Sequence, residues 1–226
     1  TRFQLEFSCT GKQIQVENEW GVHANLFCAG KESTFQFIQD VLAEVSRLFP
    51  SPYIHIGGDE AKKDNWKACP NCQSRIKNEG LLDENHLQGY FTQRVDEIVT
   101  NLGKKVIGWD EILEGGVSQN AIVESWRGMK GAYEASKLGH PVISAPYDFT
   151  YFDAPMLNKH SKADWMSVIS LEKAYSFNPA PSDLTKNQAA LVKGGECCLW
   201  AEHSLQNEID QQMFPRLCAF SEILWT

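Results

Sequence analysis

Short apolar runs alternate along this chain with longer segments whose apolar residues recur at helical spacing. Five of the runs are largely apolar and rich in β-branched or aromatic residues, a composition typical of parallel strands buried on both faces. The predicted strands are residues 53–56, 105–109, 121–126, 141–145 and 195–200.

The segments between these runs predict helices. Ser33 or Thr34 would cap the first helix, and Gly139 would end the third. Strand and helix in alternation imply right-handed crossovers and a parallel sheet. The predicted helices cover residues 34–48, 84–101, 129–138 and 209–225.

Polar side chains gather just after each predicted strand. In a (β/α)8 barrel, catalytic groups lie at the carboxyl ends of the strands. A doubly wound sheet also binds ligands there, but it usually brings a glycine-rich phosphate turn, and the sequence contains none. The pattern therefore favours the barrel. The polar residues concerned include Asp59, Asp110, Arg127, Asp153 and Glu202.

The strand count falls short of a closed barrel, which needs eight strands. Residues 1–32 favour a loop region before the first helix and not three further βα units. We therefore predict that residues 1–226 form the C-terminal portion of one (β/α)8 domain, with five βα units. No export signal opens the chain, and a periplasmic or secreted protein whose signal lies upstream or has been removed is expected.

Composition narrows the class of partner. The net charge of −8 argues against nucleic acid or an anionic membrane surface as the main partner. No apolar run is long enough to span a bilayer. The chain has seven Trp residues, and the flat face of an indole matches the C–H face of a pyranose while its N–H bonds a hydroxyl. An excess of Trp usually belongs to the core, but carbohydrate-binding clefts also use it.

The seven cysteines leave alternatives open. A Cys9–Cys28 disulfide suits an exported protein. A four-thiolate zinc site from Cys9, Cys28, Cys69 and Cys72 also fits, although only the last two have metal-type spacing. Free thiols are the third alternative. The remaining cysteines lie in apolar runs and are expected to be small core residues; these are Cys197, Cys198 and Cys218.

Two carboxylates stand side by side at the end of the first predicted strand. Asp59 and Glu60 follow Gly57 and Gly58, which allow a tight turn that re-aims both side chains. Neighbouring acids in one cleft repel, so different surroundings would leave one protonated as a general acid and one ionised as a charge stabiliser. The alternative is a solvated pair at a helix start.

Several motifs in order resemble family 20 glycoside hydrolases, the β-N-acetylhexosaminidases. They begin with HIGGDE at residues 55–60 and end with FPRLCAFSEILW. The likeness covers about residues 7–226, and SCTG and ACPNCQSRIKNEGL are most similar to bacterial members. The motifs between are KKVIGWDEIL, VESWRG, YFDAP, YSFNPAP and GGECCLWAEH.

The resemblance implies a retaining, substrate-assisted mechanism. Glu60 would protonate the glycosidic oxygen and later act as base on water. Asp59 would bond the acetamido N–H of the substrate and steer the acetamido carbonyl oxygen to the anomeric carbon, giving an oxazolinium intermediate. The implied activity is exo-hydrolysis of terminal GlcNAc or GalNAc from glycans or chitin oligomers, with no cofactor and no catalytic metal.

The resemblance also implies the groups that hold the sugar. Trp109, Trp126 and Trp200 would form an aromatic cage, and Tyr151 would bond the acetamido carbonyl. Asp153 and Glu202 would bond hydroxyls of the terminal sugar. Glu111 would line the cleft towards the leaving group.

The chain departs from the family pattern at its start. The first three barrel strands, which normally supply an Arg, an Asp and a His to the site, have no counterpart in it. The missing N-terminal half of the barrel is thus an expected partner in the full-length protein. Two competing hypotheses remain: a non-catalytic carbohydrate-binding fragment with an incomplete site, and a thiolate metal module.

Overall fold

The computed structural model describes residues 7–12, 17–157 and 166–226. The chain divides into two compact units, Thr1–Ala121 and Ile122–Thr226. Each unit carries parallel strands followed by helices, as the alternation of patterns predicts. Among the helices in these described segments, none has both the length and the apolar character that crossing a bilayer requires.

The described part of the first unit contains two parallel strands, paired from Tyr53 opposite Lys105 to His55 opposite Ile107. Both strands follow helices and end in short polar turns. The elements in order are α1 Glu32–Leu48, β1 Tyr53–His55, α2 Asp64–Ala68, α3 Pro70–Asn78, α4 Glu84–Asn101, β2 Lys105–Trp109 and a 3₁₀ helix Asp110–Leu113.

Helix α1 begins two residues before the predicted start. Neither Ser33 nor Thr34 caps it; the Thr34 hydroxyl instead donates to the carbonyl of Cys28 at 2.9 Å. Its first residue, Glu32, pairs with Arg94 of α4 at 2.8 Å. Since this contact joins residues far apart in sequence, helical spacing alone gives no sign of the earlier start.

Three strands lie in the residues of the second unit that the structure describes, with β3 parallel to β4 and β4 parallel to β5. Helix α5 ends at Gly139 with a left-handed φ of 90°, which confirms the predicted role of that glycine. The elements are β3 Ile122–Ser125, α5 Met129–Leu138, β4 Val142–Ser144, α6 Tyr147–Thr150, α7 Leu171–Tyr175, α8 Lys186–Ala189, β5 Val192–Gly195, a 3₁₀ helix Gln206–Glu208, α9 Ile209–Met213 and α10 Arg216–Trp225.

The prediction of the fifth strand at residues 195–200 is wrong. Strand β5 comes earlier and ends in two glycines. A Cβ on Gly195 would lie 2.9 Å from the Phe177 ring and 3.0 Å from the carbonyl oxygen of Ser144, so this position needs glycine. Beyond β5, Cys198 still forms a parallel bridge with Tyr151.

The prediction of one final helix over residues 209–225 is also wrong. The segment forms α9 and α10, and Pro215 lies between them, where its missing N–H interrupts the helical hydrogen bonds. Cys218 on α10 is exposed and not a core residue. The core of this unit contains Phe152, Phe177 and Phe220, with Phe177 stacked on Phe220 at 5.7 Å between ring centroids.

Candidate active site

The turn after β1 presents the two neighbouring acids. Gly57 and Gly58 have φ values of 71° and 101°, in the left-handed region that favours glycine. The Gly57 carbonyl accepts from the backbone N–H of Trp109 at 2.9 Å, and the Gly58 carbonyl accepts from Gln88 Nε2 at 2.7 Å. The predicted tight turn is thus confirmed, and α4 and β2 fix its backbone.

Glu60 has a φ of 50°, which is uncommon for a residue with a side chain and costs about 1–3 kcal/mol. Backbone strain of this kind concentrates at functional sites, where the surrounding structure enforces it. Both Asp59 and Glu60 are exposed. The sequence predicts that one of the two acids lies in less polar surroundings than the other. Within this chain, however, neither acid is buried, so burial does not distinguish Asp59 from Glu60.

A cavity of about 350 Å³ lies between α1, α4 and the end of β1. Asp59, His55 and Gln88 are among its few polar lining residues; apolar side chains make up most of its wall. A sugar would find few hydroxyl partners in that cavity.

His55 and Trp109 lie side by side at the ends of β1 and β2. Their ring centroids are 4.9 Å apart at an interplanar angle of 63°. His55 Nδ1 accepts the backbone N–H of Gly57 at 3.1 Å, so a neutral ring carries its proton on Nε2. The histidine thus helps to hold the glycine turn that precedes the acids.

Asp110 and Glu111 follow Trp109 in a 3₁₀ helix. Both are buried, at 2% and 7% exposure. Glu111 therefore presents little surface to a ligand, although it lies at a strand end as the sequence predicts.

The second unit brings three aromatic side chains together. Trp126 and Tyr151 are near-parallel, with ring centroids 6.4 Å apart and an interplanar angle of 18°. Tyr151 and Trp200 follow at 6.1 Å. Three of the predicted sugar-binding residues are thus neighbours, although they come from separate strand ends. Trp109 belongs to the first unit.

Burial raises the pKa of Tyr151 above its ordinary value, and the Cys198 thiol adds to this effect. The phenol therefore keeps its proton near neutral pH and can donate it to a ligand oxygen. Trp200 itself is 43% exposed, which leaves part of its face available.

Asp153 is buried at 4% exposure, and its Oδ1 atom has no hydrogen-bond partner among the described residues. Burial raises the pKa of Asp153, and the nearby charge of Glu202 adds to the increase. A buried carboxylate oxygen without a donor loses free energy, so a ligand hydroxyl would stabilise it. Glu202 is exposed.

Arg216 supports the Asp153 loop and was missed as a site residue. It is fully buried and donates to the carbonyls of Phe152 at 2.7 Å, Ala154 at 3.0 Å and Ile169 at 3.1 Å. Burial lowers its pKa to about 10, so it stays charged at neutral pH. Its one sequence signal is a lone arginine in the apolar stretch FPRLCAFSEILW.

Replacing Arg216 by Leu should lower the free energy of unfolding by about 3 kcal/mol or more. Three buried carbonyls would lose their donor, and each orphaned group costs about 1–3 kcal/mol. Urea unfolding of the purified protein measures the change. Arg47→Leu, at an exposed position of α1, is the matched control and should change stability by less than about 0.5 kcal/mol. Equal losses in both variants would contradict the bracing role.

Comparison with known proteins supplies the family. Residues 4–226 match the model described as "Glycosyl hydrolase family 20, catalytic domain". A beta-hexosaminidase of Porphyromonas gingivalis is 41% identical over 98% of this chain, which covers 29% of that protein. A beta-hexosaminidase of Vibrio furnissii is 33% identical over 93% of this chain, which covers 34% of its length.

Solved structures agree with the predicted fold class. The chitobiase of Flavobacterium johnsoniae superposes with a TM-score of 0.84 and 29% identity over 97% of this chain and 32% of its own. The exo β-N-acetylglucosaminidase of Vibrio harveyi, solved in complex with N-acetylglucosamine, gives a TM-score of 0.80 at 32% identity. It aligns with 89% of this chain and 32% of its own.

These comparisons confirm an α/β fold that corresponds to part of a (β/α)8 barrel. The chain spans about a third of the length of the relatives it matches. The match to the family model extends over nearly the whole sequence, and the strand-end residues described above lie within it. The chain belongs to glycosyl hydrolase family 20 and carries part of its catalytic domain.

Proposed function

We propose that the protein containing this chain hydrolyses terminal β-linked N-acetylhexosamine residues from oligosaccharides or glycoconjugates, with retention of configuration. The proposal rests on the exposed acid pair at the end of β1, where Glu60 has a left-handed backbone, within a chain of family 20. A hydrolase needs a proton donor at the leaving group and a stabiliser for positive charge. Asp59 and Glu60 supply these two functions.

Glu60 is the general acid. It protonates the glycosidic oxygen as the bond to the anomeric carbon breaks, and the leaving alcohol departs with that proton. In the second half of the reaction the Glu60 carboxylate removes a proton from water, which attacks the anomeric carbon and breaks its bond to the acetamido oxygen.

Asp59 orients the nucleophile, which is the acetamido group of the substrate. Its carboxylate accepts the acetamido N–H while the acetamido oxygen forms a bond to the anomeric carbon. The cyclic intermediate carries a positive charge, and an ionised Asp59 stabilises that charge where it develops. Because the nucleophile belongs to the substrate, attack also avoids the entropic cost of recruiting a second molecule.

The aromatic residues Trp126, Tyr151 and Trp200 hold the sugar and its acetamido group. The Tyr151 hydroxyl donates to the acetamido oxygen, and the indole faces pack on the apolar faces of the ring. Their mutual contacts in the second unit support this role. Trp109 contributes a further indole from the end of β2.

Asp153 and Glu202 accept hydrogen bonds from hydroxyl groups of the terminal sugar. The unpartnered Oδ1 of Asp153 supports this assignment. Glu111 is assigned to the leaving-group side by its strand-end position alone. Location in the periplasm or outside the cell stays a prediction.

Replacing Asp153 by Asn should separate function from stability. The variant would lose the charge-assisted hydrogen bond between the Asp153 carboxylate and a sugar hydroxyl, which contributes about 1.5–3 kcal/mol. We therefore expect kcat/KM to fall about 10–100-fold. Because the pKa of Asp153 is raised on folding, wild-type stability decreases as pH rises from about 4 through the folded pKa. The D153N variant should therefore be more stable than wild type near neutral pH, and this advantage should vanish below the ordinary pKa of Asp.

Thermal unfolding of both proteins across that pH range measures the difference. A variant that is less stable than wild type at neutral pH would contradict the cost assigned to this buried carboxyl.

A chromogenic assay tests the proposed function. The full-length protein should release p-nitrophenol from p-nitrophenyl β-N-acetylglucosaminide. The p-nitrophenyl β-glucoside, which has a hydroxyl in place of the acetamido group, should be a much poorer substrate. Binding of N-acetylglucosamine without turnover of either compound would instead support the alternative, a carbohydrate-binding protein without catalysis.

A further inference from the structure

Four cysteines of the first unit converge on one point. The Sγ atoms of Cys9, Cys28, Cys69 and Cys72 all lie within 4.8 Å of one another. The structure contains no Cys9–Cys28 disulfide; the four side chains are free thiols. Three of the sulfur pairs, 9–72, 28–69 and 28–72, are separated by 3.6, 3.7 and 3.7 Å.

These separations match a tetrahedral metal centre. Zinc binds thiolate sulfur at about 2.3 Å, so the corners of a four-sulfur tetrahedron lie about 3.8 Å apart. A disulfide would need about 2.05 Å between two sulfurs and would leave the other pair of thiols beside it. Four sulfurs near the tetrahedral spacing fit one shared ion better than they fit separate pairs.

The three segments that supply the cysteines are locked together by the backbone. A Cβ on Gly30 would lie 2.2 Å from the carbonyl carbon of Asn71 and 2.5 Å from the nitrogen of Cys72, so only glycine allows this contact. The backbone N–H of Cys28 donates to the carbonyl of Phe7 at 2.8 Å. The cluster is therefore held in place by contacts other than those of the sulfurs.

The sulfurs lie in a closed, apolar setting. Cys28, Cys69 and Cys72 are at most 2% exposed, and Cys9 is half-buried. Buried Trp66 and Leu87 belong to the same cluster. A site with four protein ligands and no open position is typical of structural zinc and not of catalytic zinc.

We propose that Cys9, Cys28, Cys69 and Cys72 bind one structural zinc ion as four thiolates. The soft sulfur set favours zinc over calcium or magnesium. Binding displaces the four thiol protons into solvent, and the centre of one Zn²⁺ and four thiolates carries a net charge of −2. Because the cysteines must lose their protons to bind zinc, the affinity for zinc decreases as the pH falls.

The zinc centre supports the segment that follows the acid pair. Asn65 Nδ2 donates to the carbonyl of Ala24 at 2.7 Å, and Trp66 Nε1 donates to the carbonyl of Phe27 at 2.9 Å. Both donors lie in α2, which begins four residues after Glu60. By binding Cys28, zinc would hold in place the loop that includes Ala24 and Phe27, which Asn65 and Trp66 contact.

Metal analysis of the purified protein tests the proposal directly. Expression in zinc-supplemented medium, with reductant throughout, should give about one zinc per chain by mass spectrometry of the metal. Cys72→Ser should lose at least half of that zinc, and Cys218→Ser, which changes an exposed cysteine outside the cluster, should keep it. Less than half an equivalent in the wild-type protein would overturn the proposal.

Cobalt substitution keeps the test open if Cys72→Ser fails to fold. Wild-type protein reconstituted with Co²⁺ should show sulfur-to-cobalt charge transfer and the intense visible bands of tetrahedral cobalt. Octahedral cobalt bands, or none, would contradict the four-thiolate site. These readouts do not depend on hydrolase activity, so they are independent of the proposed function.

Thiol counting separates zinc from disulfides. After denaturation with a chelator and without reductant, all seven cysteines should react with an alkylating agent. Peptides that remain linked between any of the four cluster cysteines would show that the thiols pair with one another, and would overturn the zinc site.

Discussion

Replacing Glu60 by Gln should lower kcat/KM for the p-nitrophenyl β-N-acetylglucosaminide about 10²–10⁴-fold, the range that a positioned general acid contributes. The amide is close in size to the carboxyl group but cannot protonate the leaving oxygen. Because Glu60 is exposed, the change should leave folding unaffected. Steady-state kinetics and thermal unfolding of the same preparation measure the two effects.

The leaving group provides an internal control for Glu60. A leaving phenol of lower pKa needs less help from a proton donor. The activity lost in Glu60→Gln should therefore be smaller with a dinitrophenyl glycoside than with glycosides that have an alcohol as leaving group, as in natural glycans. Glu44→Gln, at an exposed position of α1, should keep wild-type activity. An equal loss for all leaving groups would argue that Glu60 is not the acid.

Replacing Asp59 by Asn should lower kcat/KM about 10²–10³-fold, since one preorganised group that stabilises transition-state charge contributes about this much. The expected defect is specific to the intermediate. Affinity for a thiazoline analogue of the oxazolinium ion should fall by a similar factor, whereas affinity for the product sugar should change less than about 10-fold.

The inhibition constants of the two ligands check this prediction. Equal losses of affinity for analogue and product would assign Asp59 to ordinary sugar binding and not to stabilisation of the intermediate.

The sequence predicts the acid-pair turn well because its determinants are local. Gly57 and Gly58 permit the left-handed turn whatever surrounds it, and the strand before them has a clear apolar pattern. Helices 84–101 and 129–138 are confirmed to the residue for the same reason. Their apolar spacing and terminal residues act over one or two turns.

Long-range contacts explain the misses. Strand β5 contains two glycines, and what requires Gly195 is the approach of Phe177 and Ser144, which are distant in sequence. Arg216 binds the carbonyls of Phe152, Ala154 and Ile169, and no local pattern indicates those partners.

The cysteine cluster depends on both local spacing and long-range contacts. The spacing of Cys69 and Cys72 is a metal signal in the sequence, but Cys9 and Cys28 join them only through the fold. The sequence therefore left disulfide, zinc and free thiols open, and the tetrahedral spacing of the sulfurs favours zinc.

In the proposed mechanism, the acetamido group of the substrate acts as the nucleophile. Fluorine on the acetyl methyl group weakens that nucleophile and leaves the sugar and the leaving group unchanged. Measurement of kcat/KM for the acetyl, monofluoro-, difluoro- and trifluoroacetyl glycosides tests this step most directly. We expect a steep, progressive fall in kcat/KM, on the order of 10²-fold or more across the series. Rates that stay constant across the series would mean that a protein group or water attacks the sugar instead, and would contradict the proposed mechanism.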